Sequence, residues 1–206
     1  GPENDHNRRQ LPFGKTRDDG MPIFVPGDRI GVVTNQPYTP MGTRADEYEH
    51  AAVVSQIATI SVTGGDADRR VCSQNLSHTV NLFLRSDGTL GFSRWEHLGN
   101  VNDVKLFKMN PDCTQMLPVA GQHNKPFNSF VQVKEIKPEV MVGIATNRNG
   151  TLHSGALFQV DVRAPAGASQ PTDEEHAKFE NLTPGVPTGK TPSPIGRYRT
   201  PNVLPD

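Results

Sequence analysis

Residues Phe83–Phe92, FLRSDGTLGF, have apolar residues on both sides of an Asp-Gly pair. Asp and Gly tolerate positive φ, so this pair is typical of the tight turn of a β-hairpin. A second stretch, Ile144–Ser154 (IATNRNGTLHS), repeats the Gly-Thr-Leu and has Asn149 where the first has Asp87. Two copies are too few for a solenoid or propeller. We interpret both stretches as hairpin turns of a sheet.

Short apolar runs around these turns predict an all-β protein. The runs are rich in Val, Ile and Thr, whose side chains favour pleated sheet, and turn residues separate them. They cover residues 31–34, 50–62, 68–74, 78–85, 89–95, 104–109, 128–136, 139–146 and 155–162. Their length and spacing predict an antiparallel β-sandwich or a barrel-like domain.

Proline marks the limits of this predicted sheet. Six prolines fall in residues 1–40 and eight in 163–206, which leaves four for the residues between. Because proline cannot donate to a sheet ladder, we predict an antiparallel β domain over 21–163. The flanks, 1–20 and 164–206, are predicted to be extended Pro-rich arms, the second with one short helix near 173–181. Gly1-Pro2 is interpreted as the scar of a removed tag.

Charge and hydropathy exclude several classes of partner. The chain carries 21 Lys and Arg against 22 Asp and Glu, so no net charge draws it to nucleic acid, which we do not expect as a partner. No apolar run is long enough to cross a membrane, so we expect no membrane insertion. The favoured interpretation of Cys72 and Cys113 is two buried thiols, and a disulfide between them is left open.

No motif in the sequence carries recognisable catalytic chemistry. The seven histidines have no zinc-binding spacing, and there is no Cys-x-x-Cys, no Gly-x-Ser-x-Gly elbow and no nucleotide-binding loop. We therefore expect no enzymatic activity, no metal and no cofactor. A hydrolase whose site is assembled across the fold is the catalytic alternative.

Five residues are the candidates for contact with a ligand. Trp95, the sole tryptophan, stands between Arg94 and Glu96 and is followed by His97. A core anchor is the favoured interpretation of this indole, and a ligand platform at the mouth of a loop is the alternative. Arg94 and His97 would supply polar contacts beside it. Asp87 and Asn149 would present their polar groups from the two hairpin turns.

These features together predict a protein that recognises and does not catalyse. We expect a surface or projection module of a larger assembly, of the viral capsid spike or adhesin type, that binds a host receptor or glycan through its loops. Such a module would be a homo-oligomer, dimer or trimer, at a virion surface or otherwise extracellular. The alternative is a stand-alone lectin-like domain that binds carbohydrate.

Overall fold

A computed structural model of the chain describes residues 19–35, 55–72, 78–98, 100–123, 125–168 and 173–204. The predicted N-terminal arm, up to residue 18, lies outside them. The described residues form twelve strands and one short helix. The elements are β1 (Asp19–Val25), β2 (Arg29–Thr34), β3 (Gln56–Ser61), β4 (Gly65–Cys72), β5 (Thr79–Leu84), β6 (Leu90–Leu98), β7 (Val101–Met109), β8 (Leu117–Ala120), β9 (Ser129–Lys137), β10 (Val140–Thr146), β11 (Ala156–Asp161), α1 (Asp173–His176) and β12 (Lys178–Asn181).

The strands form two sheets, which confirms the prediction of a nearly all-β protein. The smaller sheet has the order β1-β2-β3-β4, and the larger has the order β12-β11-β10-β9-β7-β6-β5, with β8 paired to β7. The pairing is antiparallel throughout the described strands, except that β7 and β9 run parallel and meet at Val104 and Ser129. This parallel contact brings strands together that are distant in sequence.

Buried apolar residues from both sheets form the core. Val25 and Ile57 of the smaller sheet belong to one cluster with Leu82, Phe92 and other residues of the larger. A second cluster lies under β9 to β12, where the rings of four phenylalanines pack with centroids 4.9 to 5.7 Å apart. These are Phe127, Phe130, Phe158 and Phe179. Burial of aromatic rings contributes the largest apolar area per side chain, so this cluster fixes β12 on the sheet.

A disulfide joins the two sheets, and the favoured prediction of two free thiols is wrong. Cys72 ends β4 of the smaller sheet, and Cys113 lies in the loop after β7 of the larger. The bond closes a loop with a sequence separation of 41, for which the lost chain entropy of the unfolded state is worth about 4 kcal/mol. Sequence spacing could not decide the pairing, because it does not show that two sheets bring these positions together.

The two predicted hairpins form, but only one has a tight turn. In the first, Gly88 has φ +83° and donates its N–H to Arg85 O, while Asp87 Oδ1 accepts from the Thr89 N–H. In the second, β10 and β11 are joined by residues 147–155, a loop far longer than a two-residue turn. The longer loop leaves room for side chains to face a pocket.

The predicted helix near 173–181 is confined to Asp173–His176, and residues 178–181 form β12 instead. The helix is held by a buried ion pair in which Arg85 donates to Asp173 Oδ2 at 2.8 Å. Lys108 donates to the same oxygen at 2.9 Å. Loss of Asp173 would remove the nearer carboxylate from the buried Arg85, whose other acidic partner is Asp87 at 3.5 Å.

The chain after β12 returns along the larger sheet. Gly155 and Tyr198 exchange two backbone hydrogen bonds of 3.1 and 2.9 Å. A Cβ at Gly155 would lie 2.1 Å from Ala145 O, so only glycine permits this approach. Arg197 fixes the same segment by donating to Ser154 O and to three carbonyls of its own loop, those of Pro187, Gly189 and Thr191. This segment therefore lies against the loop 147–155.

Glu174 gives helix α1 a pH-dependent contribution to stability. Burial raises the pKa of its carboxyl above the ordinary 4.5, although Oε1 accepts from the backbone N–H groups of His123 and Gln122. The raised pKa means that the protonated form is favoured in the folded state. The contribution is therefore full below pH 4.5 and is lost as the pH rises through the raised pKa.

We predict that Glu174→Gln raises the free energy of unfolding at pH 7 and flattens its fall between pH 4 and 7. Glutamine keeps the accepting oxygen and removes the charge that burial disfavours. Urea denaturation across this pH range measures the effect. The matched control is Glu175→Gln, a change at the exposed neighbour in the same helix. Parallel pH profiles for the two variants would contradict the assignment.

Candidate functional site

A pocket of about 350 Å³ opens beside the loop 147–155, at the ends of β7, β9 and β10. Its walls come from β5, β6, β7, β9 and β10 and from the loop itself. The lining residues are His78, Val80, Trp95, Val104, Ser129, Val131, Thr146, Arg148, Asn149 and His153. A concave site with an apolar floor and a few polar groups at the rim is the usual form of a small-ligand site.

The floor of the pocket is a small apolar cluster. Val104, Val131 and Ile144 are buried and pack together, and Trp95 and Leu157 pack against them half-buried. Val104 and Val131 come from the two strands that meet in parallel. The floor therefore depends on the one parallel contact among the described strands.

Trp95 presents its indole in a fixed orientation. The indole N–H donates to Asn102 Oδ1 at 2.7 Å, across the β6–β7 hairpin. The imidazole of His78 stacks with the indole at 5.9 Å between centroids and 17° between planes. The guanidinium carbon of Arg148 lies 5.7 Å from the centroid of the same indole. Two aromatic rings, one guanidinium and one amide are thus in contact around Trp95.

Asn128 connects the walls of the pocket. Its side-chain amide donates to Asn102 O at 2.9 Å, and its Oδ1 accepts from the Arg148 N–H at 3.0 Å and from the Ser129 hydroxyl at 2.8 Å. Asn102 is also the residue that holds the Trp95 indole. The Asn128 amide therefore fixes both the Trp95 indole, through Asn102, and the start of the loop 147–155.

Threonine hydroxyl groups hold the loop 147–155, which forms the rim of the pocket and is called the rim loop below. The buried Thr151 hydroxyl donates to Asn147 O at 2.8 Å, and the Thr146 hydroxyl donates to Ser154 O at 2.7 Å. The Asn149 N–H donates to Asn147 Oδ1 at 3.0 Å. These bonds close a compact loop, which places Arg148, Asn149 and His153 around the mouth of the pocket.

Of the five predicted ligand residues, two line this pocket. Trp95 and Asn149 are distant in sequence and meet because β6 and the loop after β10 lie on either side of β7 and β9. His97 stands in β6 opposite Asn102, and its side chain lies outside the described part of the structure.

The other two predicted ligand residues lie elsewhere. Arg94 projects from the opposite face of β6, where its guanidinium carbon lies 5.1 Å from the centroid of the Phe107 ring. Burial lowers the pKa of Arg94. Partial burial acts to raise the pKa of Asp87, but hydrogen bonds from Thr89 and the nearby Arg85 bring it below its ordinary value. Neither Arg94 nor Asp87 lines the pocket.

Among the described residues that line the pocket there is no carboxylate, and their ionisable groups are two imidazoles and one guanidinium. The Ser55 N–H donates to His78 Nδ1 at 3.1 Å, which assigns the ring proton to Nε2. The Ser129 hydroxyl donates to Asn128 and is not bonded to an imidazole. The site is thus suited to contact polar groups of a ligand.

Sequence reasoning missed His78, Arg148, Asn102 and Asn128. One of them had a usable signal, because Gly99-Asn100 is a turn dipeptide and a hairpin there pairs the strand of Trp95 with that of Asn102. His78 also had one, because the hairpin around Asp87-Gly88 places it next to Trp95, whose backbone N–H donates to His78 O. Arg148 and Asn128 enter the site through contacts between β7, β9 and the loop 147–155. Local sequence patterns do not encode such contacts.

No family model matches this chain, and no curated protein matches it. Within the described residues, no helix is long and apolar enough to cross a membrane. The same part of the chain places no group of three or more His, Cys, Asp or Glu for a metal ion. The site itself must therefore carry the functional argument.

We predict that Asn128→Ala lowers the free energy of unfolding by about 2–3 kcal/mol, since it removes three hydrogen bonds and leaves half-buried partners unsatisfied. The emission of Trp95 should move to longer wavelength as its surroundings open to water. Urea denaturation followed by fluorescence measures both effects. The control is Asn147→Ala, which removes one exposed side-chain bond and should cost less than about 1 kcal/mol. Equal costs would contradict the role given to Asn128.

Proposed function

We propose that this chain is a non-enzymatic recognition module that holds a saccharide ring against Trp95. The observation that carries the proposal is the fixed Trp95 indole in the lining of the pocket, which also includes Asn149 and Arg148. An indole offers a broad apolar surface to the C–H face of a sugar. The amide and the guanidinium bond to hydroxyl groups, which gives orientation and specificity.

Two features support binding over catalysis. Glycoside hydrolysis usually needs a pair of carboxyl groups around the scissile bond, and the described residues that line the pocket include none. The one serine in the lining bonds to an amide, so no base activates it. The hydrolase alternative therefore gains no support from this pocket.

The module belongs, in this proposal, to the surface of a larger assembly, such as a capsid spike or an adhesin. The disulfide supports an extracellular location or a virion surface, because such bonds persist in oxidising surroundings. Phe24 and Leu204 support contact with another subunit, since 83% and 82% of these apolar residues are exposed. The core cluster shared by the two sheets supports a sandwich arrangement between Pro-rich arms.

We predict that a saccharide panel of lactose, N-acetylglucosamine and sialyllactose includes a ligand that changes Trp95 fluorescence saturably. Trp95 is the sole tryptophan, so the signal reports this pocket. Asn149→Ala should weaken that binding about fivefold or more, the cost of one lost hydrogen bond. The control is Asp87→Asn, which changes the other predicted turn residue away from the pocket. A panel without effect, or equal losses for the two variants, would contradict the proposal.

The alternative is a stand-alone lectin-like domain with the same pocket, and the assembled state separates the two. We predict that light scattering gives the full chain the molar mass of a dimer or trimer. A monomer at all accessible concentrations would favour the stand-alone domain. The saccharide titration remains informative in either case.

A further inference from the structure

The pocket rim and the segment packed on it carry positive charge without acidic residues. The loop 147–155 and residues 183–204 together contain Arg148, Lys190, Arg197 and Arg199, and neither range contains an Asp or Glu. The chain as a whole has 22 such acids, so the charge is segregated. A local excess of one sign beside a pocket concentrates oppositely charged ligands.

These cations differ from most others in the molecule. Arg69 pairs with Asp19, Arg85 with Asp173 and Lys125 with Asp103. By contrast, none of the ion pairs formed among the described residues includes Arg148, Lys190, Arg197 or Arg199. Within the described part of the chain, no acid is therefore paired with the positive charges of the rim.

The fold places Arg148 in the lining of the pocket and brings Lys190 and Arg197 next to the loop 147–155. The Lys190 Cδ atom lies 3.7 Å from the position that a Cβ on Gly150 would take, next to Asn149. Arg197 donates hydrogen bonds to four backbone carbonyls, which hold its positive charge in one position. Arg148 itself lies over Trp95. Arg148 and Lys190 are thus the two groups placed to meet an anion.

We propose that the ligand of this pocket is an acidic saccharide, one that carries a carboxylate or a sulfate group. The inference rests on the proposed function and names the class of sugar. The ring lies against Trp95, Arg148 binds the anionic group through its planar pair of N–H donors, and Lys190 adds a second charge. Guanidinium matches the two oxygens of a carboxylate or sulfate better than any other side chain.

A single-stranded nucleic acid is the other polyanion with rings to stack. Proteins that bind single strands present successive aromatic platforms along a basic groove. Among the described residues that line this pocket, Trp95 is the only Phe, Tyr or Trp, which favours a saccharide. A short oligonucleotide is therefore included in the test.

The test titrates the full-length protein with α2,3-sialyllactose, a disulfated heparin disaccharide, lactose and a thymidine decamer. Trp95 fluorescence reports the site, and calorimetry gives the affinity. We expect at least one acidic saccharide to bind about tenfold or more tighter than lactose, as one charged hydrogen-bonded pair provides. Arg148→Met, which keeps apolar packing on the indole, should reduce that affinity to the level of lactose. Lys190→Ala should weaken it about threefold.

Two further variants serve as controls. Arg148→Lys keeps the charge and should retain part of the preference for the acidic sugar. Lys137→Ala removes an exposed lysine at the far end of β9 and should leave binding unchanged.

Each contrary outcome has a distinct meaning. If lactose binds as tightly as both acidic sugars and Arg148→Met has no effect, the acidic class is wrong and the proposed function stands. Absence of binding by every saccharide overturns both. If the decamer binds more tightly than the sugars and Arg148→Met abolishes that binding, the basic rim serves nucleic acid and the inference is overturned.

Discussion

The side-chain amide of Asn128 bonds at once to strand β7, to strand β9 and to the loop after β10, and the shape of the pocket depends on these bonds. Asn128 stands just before the point where β7 and β9 run parallel, so its position follows from the way the larger sheet is assembled. Its partner Asn102 accepts a hydrogen bond from the indole N–H of Trp95, so the bonds of Asn128 also affect the position of the indole. A neutral amide suits this role because it donates and accepts without introducing charge near an apolar floor.

Among the described residues, some charged side chains form ion pairs, and others, around the pocket, do not. Ion pairs tie the short helix to the sheet through Arg85 and Asp173, and buried pairs of this kind fix position more than they add stability. Around the pocket, Arg148 and Lys190 have no such partner among the described residues, and the Gly155–Tyr198 bridge joins the loop 147–155 to the segment after β12. Buried ion pairs thus hold elements of the fold together, and in the proposed function the charges at the rim bind the ligand. The two sheets, joined by a disulfide and a shared core, provide the rigid support that such a site needs.

Much of the fold could be predicted because turn chemistry and apolar runs are local signals. The hairpin around Asp87-Gly88 formed as its residues require. The sequence did not predict strands β1, β8 and β12. Pro22 and Pro118 stand in β1 and β8, and proline is typical of arms and loops. Half of the residues of β12, KFEN, are charged, which also indicates a loop. In the site, Trp95 and Asn149 were found from residue type and turn position alone. Arg148 and Asn128 were not, because their roles depend on a parallel strand contact that no local pattern records.

Ligand recognition at this pocket is tested most directly by titration with acidic and neutral saccharides. The single indole N–H resonance of Trp95 is followed in ¹H–¹⁵N spectra. Only one such resonance exists in this chain, and it reports the bond to Asn102 at the base of the platform. If the pocket is the recognition site, this resonance and the side-chain amide resonances of Asn128 and Asn149 should shift together and saturate at the same ligand concentration. Saturable shifts confined to other parts of the chain, with the indole resonance unchanged, would contradict the account.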